Sequence, residues 1–162
     1  MGRLGEKSVE SWLTHLGWEC QAVNWRIPGG EIDRLFVRRQ KPRSRRIDIC
    51  VSEIKTARVR TVEHFLELFE ERRLRTLMRP HQIRNLWRTA EICESRIRGR
   101  ESQSQICTYV RYFLVVSAGP RTLQGIVLYL NANSSSLPVR LCSVGQRELI
   151  LAWAPDVPTD VF

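Results

Sequence analysis

No stretch of this 162-residue chain approaches the ~20 consecutive apolar residues that a membrane helix needs. The opening Met1-Gly2-Arg3-Leu4-Gly5-Glu6 lacks the apolar core of a secretory leader, and Glu6 stands where a myristoylation motif wants Ser or Thr. Five cysteines (Cys20, Cys50, Cys93, Cys107 and Cys142) are an odd number, widely spread and without a C-x-x-C pair, so neither a disulfide framework nor a zinc knuckle is suggested. His15, His64 and His81 are scattered without an H-x-x-x-H spacing and read as surface or partly buried residues. No Walker loop, G-x-S-x-G elbow or Rossmann glycine pattern is present. These absences lead to an expected cytoplasmic location and no membrane partner.

Acidic residues are the scarce charge: 17 Asp and Glu against 26 Lys and Arg leave a net +9 and a pI near 10.0, so polyanions are expected partners. Arginine outnumbers lysine heavily, and its planar fork suits phosphate; the plainer reading of such a surface is solubility. With 43% hydrophobic residues, 9 Gly and 7 Pro the composition is that of a globular chain, and its length fits one domain. We expect that domain over residues 1–154, with 155–162 as a loosely held tail.

Val9, Trp12, Leu13 and Leu16 recur at helical spacing and predict a helix over residues 2–16, stopped at Gly17. A loosely alternating strand over 18–26, the Pro28-Gly29-Gly30 turn and a strand over 31–38 predict a hairpin. A third strand is expected over 46–55, so the first half reads α-β-β-β. Val62, Phe65, Leu66 and Phe69 predict a helix continuing to Met78, and Pro80 opens another through Ile97. The polar stretch 99–105 reads as a loop. The nearly continuous apolar run over 109–117 predicts a central strand. Further strands are expected over 125–130 and 141–153, with a polar turn over 131–136. The five tryptophans read as core or core-edge, Trp25 also being a candidate for stacking on a base. The sum is a single α/β domain with a mixed, largely antiparallel sheet flanked by helices.

Side chains alternate along a strand, so Glu31 and Asp33 are expected to share one face, as are Glu53 and Lys55 at the end of an apolar strand. Charged groups there are costly to bury unless paired or bound to an ion. Two carboxylates gathered with one ammonium suit a hard cation such as Mg²⁺ bridging to a phosphate oxygen, with the lysine steadying the attacking water. A surface ion pair between Glu53 and Lys55, with Asp33 exposed near a turn, explains the same spacing. Glu6 falls on the flank of the first helix's apolar stripe, where it can reach a sheet edge; it equally suits a helix N-terminus as an acid facing the dipole. The run Arg38-Arg39-Gln40-Lys41-Pro42-Arg43-Ser44-Arg45-Arg46 holds six candidate contacts to nucleic-acid phosphate, Arg38, Arg39, Lys41, Arg43, Arg45 and Arg46, or forms a solvated loop.

In order and spacing, Gly5-Glu6, Leu16-Gly17-Trp18, Asn24-Trp25-Arg26, Gly30-Glu31-Ile32-Asp33-Arg34-Leu35 and Ser52-Glu53-Ile54-Lys55-Thr56-Ala57-Arg58 resemble the YraN-like family of predicted endonucleases. The likeness is specific over residues 2–58, looser through the Pro80 helix and the 109–117 strand, and slight beyond 118. It implies a restriction-endonuclease-like fold within the PD-(D/E)xK nuclease superfamily. It also implies Asp33 and Glu53 as metal-binding carboxylates, Lys55 as the catalytic lysine and Glu6 as the helix acid that joins the metal in related Holliday-junction resolvases. Gln82 falls where related nucleases carry a Lys or Gln near the site, and Arg58 where substrate contacts follow the lysine. The chain departs from the family's Glu-Val-Lys-Thr-Arg ending, because Ala57 separates Thr56 from Arg58, and residues 60–79 look like a helical insertion. The expected activity is Mg²⁺-dependent cleavage of structured or branched DNA, with Mn²⁺ as a substitute ion and a homodimer as in related resolvases. The alternatives are a non-catalytic nucleic-acid-binding or assembly protein that keeps the fold, and an RNA-processing nuclease.

Overall fold

The computed structural model describes residues 2–28, 30–39, 45–70, 77–134 and 139–153. Helix α1 (Gly2–His15) is followed by strands β1 (Glu19–Ile27), β2 (Gly30–Arg39) and β3 (Arg46–Arg58). A short helix α2 (Val62–Leu66), helix α3 (Pro80–Arg100), strand β4 (Gln105–Ser117), helix α4 (Pro120–Ala132) and strands β5 (Arg140–Val144) and β6 (Glu148–Trp153) complete the order.

The apolar stripe of α1 is buried through Val9 and Leu13. The helix stops where Gly17 takes φ 80, a left-handed value that glycine adopts without steric cost, and the Trp18 N–H then returns to the Leu13 carbonyl. Arg79 is extended, as a residue before proline must be, and Pro80 starts α3.

The six strands run in the order β1-β2-β3-β4-β6-β5. All neighbours are antiparallel except β3 and β4, which are parallel from Arg46↔Gln105 to Arg58↔Ser117. This central pair explains why the chain there reads as near-continuous apolar sequence: both faces are covered. On one face Val9 and Leu13 of α1 pack on Phe36, Cys50, Ile54, Phe113 and Val115. On the other, Leu86, Ala90 and Cys93 of α3 cover Ile49, Val51, Val110 and Tyr112, while Phe65 of α2 and Leu123, Ile126 and Leu130 of α4 cover Val116, Leu149 and Leu151. Helix α1 approaches β3 so closely at Gly5 that a Cβ there would strike the Thr56 methyl.

Four expectations are corrected. Residues 125–130 belong to helix α4, because Pro120 opens a helix and Leu123, Ile126 and Leu130 recur at the helical period and are all buried. The helix from Val62 ends at Leu66, gives one tight turn over Glu67–Phe69, and at Glu70 the backbone is extended, with φ −63 and ψ 139. Residues 141–153 form a hairpin rather than one strand, closed by the Gly145 N–H on the Glu148 carbonyl at 2.7 Å. Helix α3 runs on to Arg100 before the turn into β4. Residues 71–76 of the expected helix, Lys41 and Arg43 of the basic run, and the tail 155–162 lie outside the described residues.

Candidate functional site

The site forms where the β2–β3 ladder stops. Pairing runs from Arg39↔Ile47 to Arg34↔Ser52, and one further step of the same register would set Asp33 opposite Glu53. Instead the Asp33 carboxylate turns into the ladder and its Oδ2 accepts the backbone N–H of Ile54 at 2.6 Å. On the other side of β2, Asn24 falls opposite Asp33, between the pairs Val23↔Arg34 and Trp25↔Ile32, and has φ 47. Asparagine tolerates that left-handed conformation better than most residues. The twist is visible in the packing as well: Ile32 packs with α3 and Phe36 with α1, although a regular strand would put residues four apart on one face.

Glu53 and Lys55 lie on the α3 side of β3, two residues apart. Glu53 is 5% exposed, and its Oε1 accepts both Lys55 Nζ at 2.5 Å and Gln82 Nε2 of α3 at 2.9 Å. Burial pushes the Glu53 carboxyl above its ordinary pKa; the Lys55 hydrogen bond opposes this, and the nearby Asp33 charge adds to it. Burial likewise raises Asp33, against the Ile54 N–H and Lys55, with the Glu6 charge adding to the rise. Asp33 Oδ1 and Glu53 Oε2 have no hydrogen-bond partner among the described residues.

Glu6 reaches the sheet beside these groups but is held by Arg34. That guanidinium, with a side chain 6% exposed, pairs with Glu6 at 3.0 Å and Glu10 at 3.2 Å, and donates to the Asp33 carbonyl at 2.8 Å. Asp33, Glu53, Lys55 and Gln82 are therefore brought together, while Glu6 stands one ion pair away. Among the described residues no three His, Cys, Asp or Glu side chains gather into a group that could hold a metal. Glu31, exposed on β2, pairs with Arg26 at 2.8 Å.

Tyr112 was not singled out by its sequence. Parallel pairing sets it beside Glu53, its ring is 3% exposed and its hydroxyl is buried without a hydrogen-bond partner among the described residues. Burial, then the Glu53 and Asp33 charges, pushes its phenol well up, so it stays a neutral donor. Within a strongly apolar run a tyrosine was the only available signal.

The basic residues of the 38–46 run that are described have internal partners. Arg38 and Arg46 both pair with the fully buried Asp48, at 2.9 and 2.8 Å, and Arg38 also lies over the Trp18 ring. Arg39 pairs with Glu101 at 2.7 Å and Arg45 donates to Gln103. Arg58 is exposed at the end of β3.

The protein is a mixed α/β sheet protein that carries a buried and a half-buried carboxylate, a lysine and a glutamine at an interrupted strand pair. The chain belongs to the Uncharacterised protein family UPF0102, whose model matches residues 5–121. That span includes Glu6, Asp33, Glu53, Lys55 and Gln82 and supports the YraN-like resemblance. No curated protein matches the chain significantly. Among the described residues no helix is long and apolar enough to cross a membrane.

Proposed function

We propose that this protein is a Mg²⁺-dependent endonuclease with a restriction-endonuclease-like fold, acting on structured or branched DNA. The observation that carries the reading is the meeting of half-buried Asp33 and buried Glu53, both raised in pKa, with Lys55 at the break in the β2–β3 ladder. The donor set fits a hard cation: Asp33 Oδ1 and Glu53 Oε2 are uncommitted among the described residues, and Mg²⁺ is commonly held by one or two carboxylates, with waters and substrate phosphate completing the shell. When bound, the ion supplies Lewis acidity at the scissile phosphoryl group.

The chain's own residues do the rest. The Ile54 N–H fixes the Asp33 carboxylate, and Gln82 fixes Glu53. Lys55, 29% exposed, can leave Glu53 for the attacking water or for the charge that develops on the phosphoryl oxygens. Tyr112 offers a neutral hydroxyl on the buried side. Arg34 steadies the β2 backbone at Asp33 from the opposite face.

The closed Lys55–Glu53 pair favours a second reading, a nucleic-acid-binding protein that keeps the fold without turnover. Calorimetry with Mn²⁺ and Mg²⁺ on the wild type and Asp33→Asn, joined to cleavage assays on linear, flapped and four-way-junction DNA, separates the two. Ion binding and cutting in the wild type, both lost in the variant, are expected. Nucleic-acid binding without ion binding in the wild type would overturn the nuclease and leave the binding protein.

A further inference from the structure

Of the arginines that the sequence marks for nucleic acid, Arg38, Arg39 and Arg46 pair with carboxylates, whereas Arg58 belongs to a group without an ion pair among the described residues. At the end of the sheet where β3 and β4 run out, Arg58, Arg60 and Arg147 line one concavity of about 600 Å³, together with Ser117, Gly119 and Thr122. All three arginines are exposed, and none has an ion pair or hydrogen bond through its side chain among the described residues. They come from two chain segments, the end of β3 and the β5–β6 turn, whose backbones are held together by the turn from β4 into α4. Arg58 pairs with Ser117 in the ladder, and the Val59 N–H donates to the Ser117 carbonyl at 3.0 Å. The Ala118 N–H donates to the Arg147 carbonyl at 3.1 Å, and the Thr122 hydroxyl to the Arg60 carbonyl at 3.0 Å.

Among the described residues no acidic side chain lines this hollow. Glu63, close in sequence to Arg60, is engaged by the Thr61 hydroxyl and its own backbone N–H, and Glu148 lines a separate hollow under α1. Helix α4 starts here with no acid in its first turn. Three guanidiniums on one concave surface, with no carboxylate among the described residues lining it, have the chemistry of a phosphate-binding site.

We infer that this hollow docks the sugar-phosphate backbone of the nucleic-acid strand whose cleavage is proposed above, and the inference rests on that reading for its substrate. Arg58 follows Lys55 by three residues on β3, about 10 Å along an extended strand. That is about the rise of three nucleotides of one DNA strand. Side chains alternate along β3, so Arg58 lies on the face opposite Lys55, and a strand with its scissile phosphate at Lys55 reaches the hollow round the end of the sheet with a phosphate about three or more nucleotides away. The contact is to backbone and carries no base specificity.

The test is fluorescence anisotropy of the full chain on labelled four-way-junction and linear DNA, without divalent ions so that cleavage plays no part. Arg58→Gln/Arg60→Gln/Arg147→Gln is compared with the charge-matched control Arg88→Gln/Arg100→Gln/Arg140→Gln, whose positions are also exposed. We expect the hollow variant to bind about tenfold or more weakly at physiological salt, and its dependence of log Kd on log salt to fall by between two and three, since each phosphate contact contributes about 0.9. The control should change both much less, and Arg58→Lys/Arg60→Lys/Arg147→Lys should restore most of the salt dependence.

Equal losses in the hollow and control variants would overturn the inference while leaving the nuclease reading standing. Loss confined to the hollow variant, with a wild type that never cuts, would uphold the docking site and overturn the nuclease. Binding of inorganic phosphate or a mononucleotide at the hollow, with DNA affinity intact in its variant, would assign it to a small phosphate and overturn the inference. A wild type that binds no nucleic acid overturns both.

Discussion

Asp33 Oδ2 accepts the Ile54 backbone N–H at 2.6 Å, filling with a side chain the place where the β2–β3 ladder would have continued. Asp33 is thereby locked beside Glu53 by a group that stays a donor at any pH. The carboxylate gives up solvent for this position, and its pKa is raised.

That rise fixes the sign of a stability prediction. Because the folded chain holds the Asp33 proton more tightly than the unfolded one, the side chain stabilises most below the ordinary carboxylate pKa, and the contribution is lost as pH rises through the folded value. Asn in its place can still accept from Ile54 and has no charge to desolvate. Asp33→Asn is therefore expected to melt at or above the wild-type temperature at neutral pH, with the margin narrowing as pH falls. A variant less stable at pH 7 than at pH 4, relative to wild type, would contradict this.

The Arg34 pairs separate structure from chemistry. Arg34→Met leaves Glu6 and Glu10 without their cation and should cost about 3 kcal/mol in denaturant unfolding. Glu6→Gln keeps a hydrogen-bond acceptor for Arg34, which also retains Glu10, so its stability cost should stay below about 1 kcal/mol. Its loss of Mn²⁺ affinity should be much smaller than that of Asp33→Asn. Equal losses of ion affinity would make Glu6 a direct ligand, as the family resemblance implies.

Tyr112→Phe removes a buried hydroxyl that has no partner among the described residues. An unsatisfied polar group costs roughly 1–3 kcal/mol, so the variant should be as stable as wild type or more so. If the hydroxyl serves the attacking water, cleavage should slow about tenfold, equivalent to one hydrogen bond in the barrier, with DNA affinity unchanged. Single-turnover cleavage beside thermal melts reads both effects, and an unchanged rate would leave Tyr112 a packing residue.

Much of this protein is legible without coordinates. The i, i+3, i+4, i+7 stripe of α1, Pro80 at the head of α3, and the apolar runs of β3 and β4 are local signals, because periodicity and proline geometry act within a few residues. The same alternation places Glu53 and Lys55 on one face, and the hairpin brings Asp33 toward them.

Other features depend on contacts distant in sequence. The run Ile126-Val127-Leu128-Tyr129-Leu130 suits a strand or a helix equally by composition, and its burial against β4 and β6 selects the helix. The commitment of Glu6 to Arg34, and of Arg38 to Asp48, follows from the packing of α1 on β2 and the pairing of β2 with β3. Tyr112 joins the carboxylates only because β4 runs parallel to β3 in one register. Arg58, Arg60 and Arg147 meet only because β3, the start of α4 and the β5–β6 hairpin end at one edge. Sequence alone sets which residues are charged and which faces are apolar, since those are properties of single side chains and short periods. The tertiary structure decides which charges are cancelled and which are left to bind, because that depends on distances between segments the chain order does not specify.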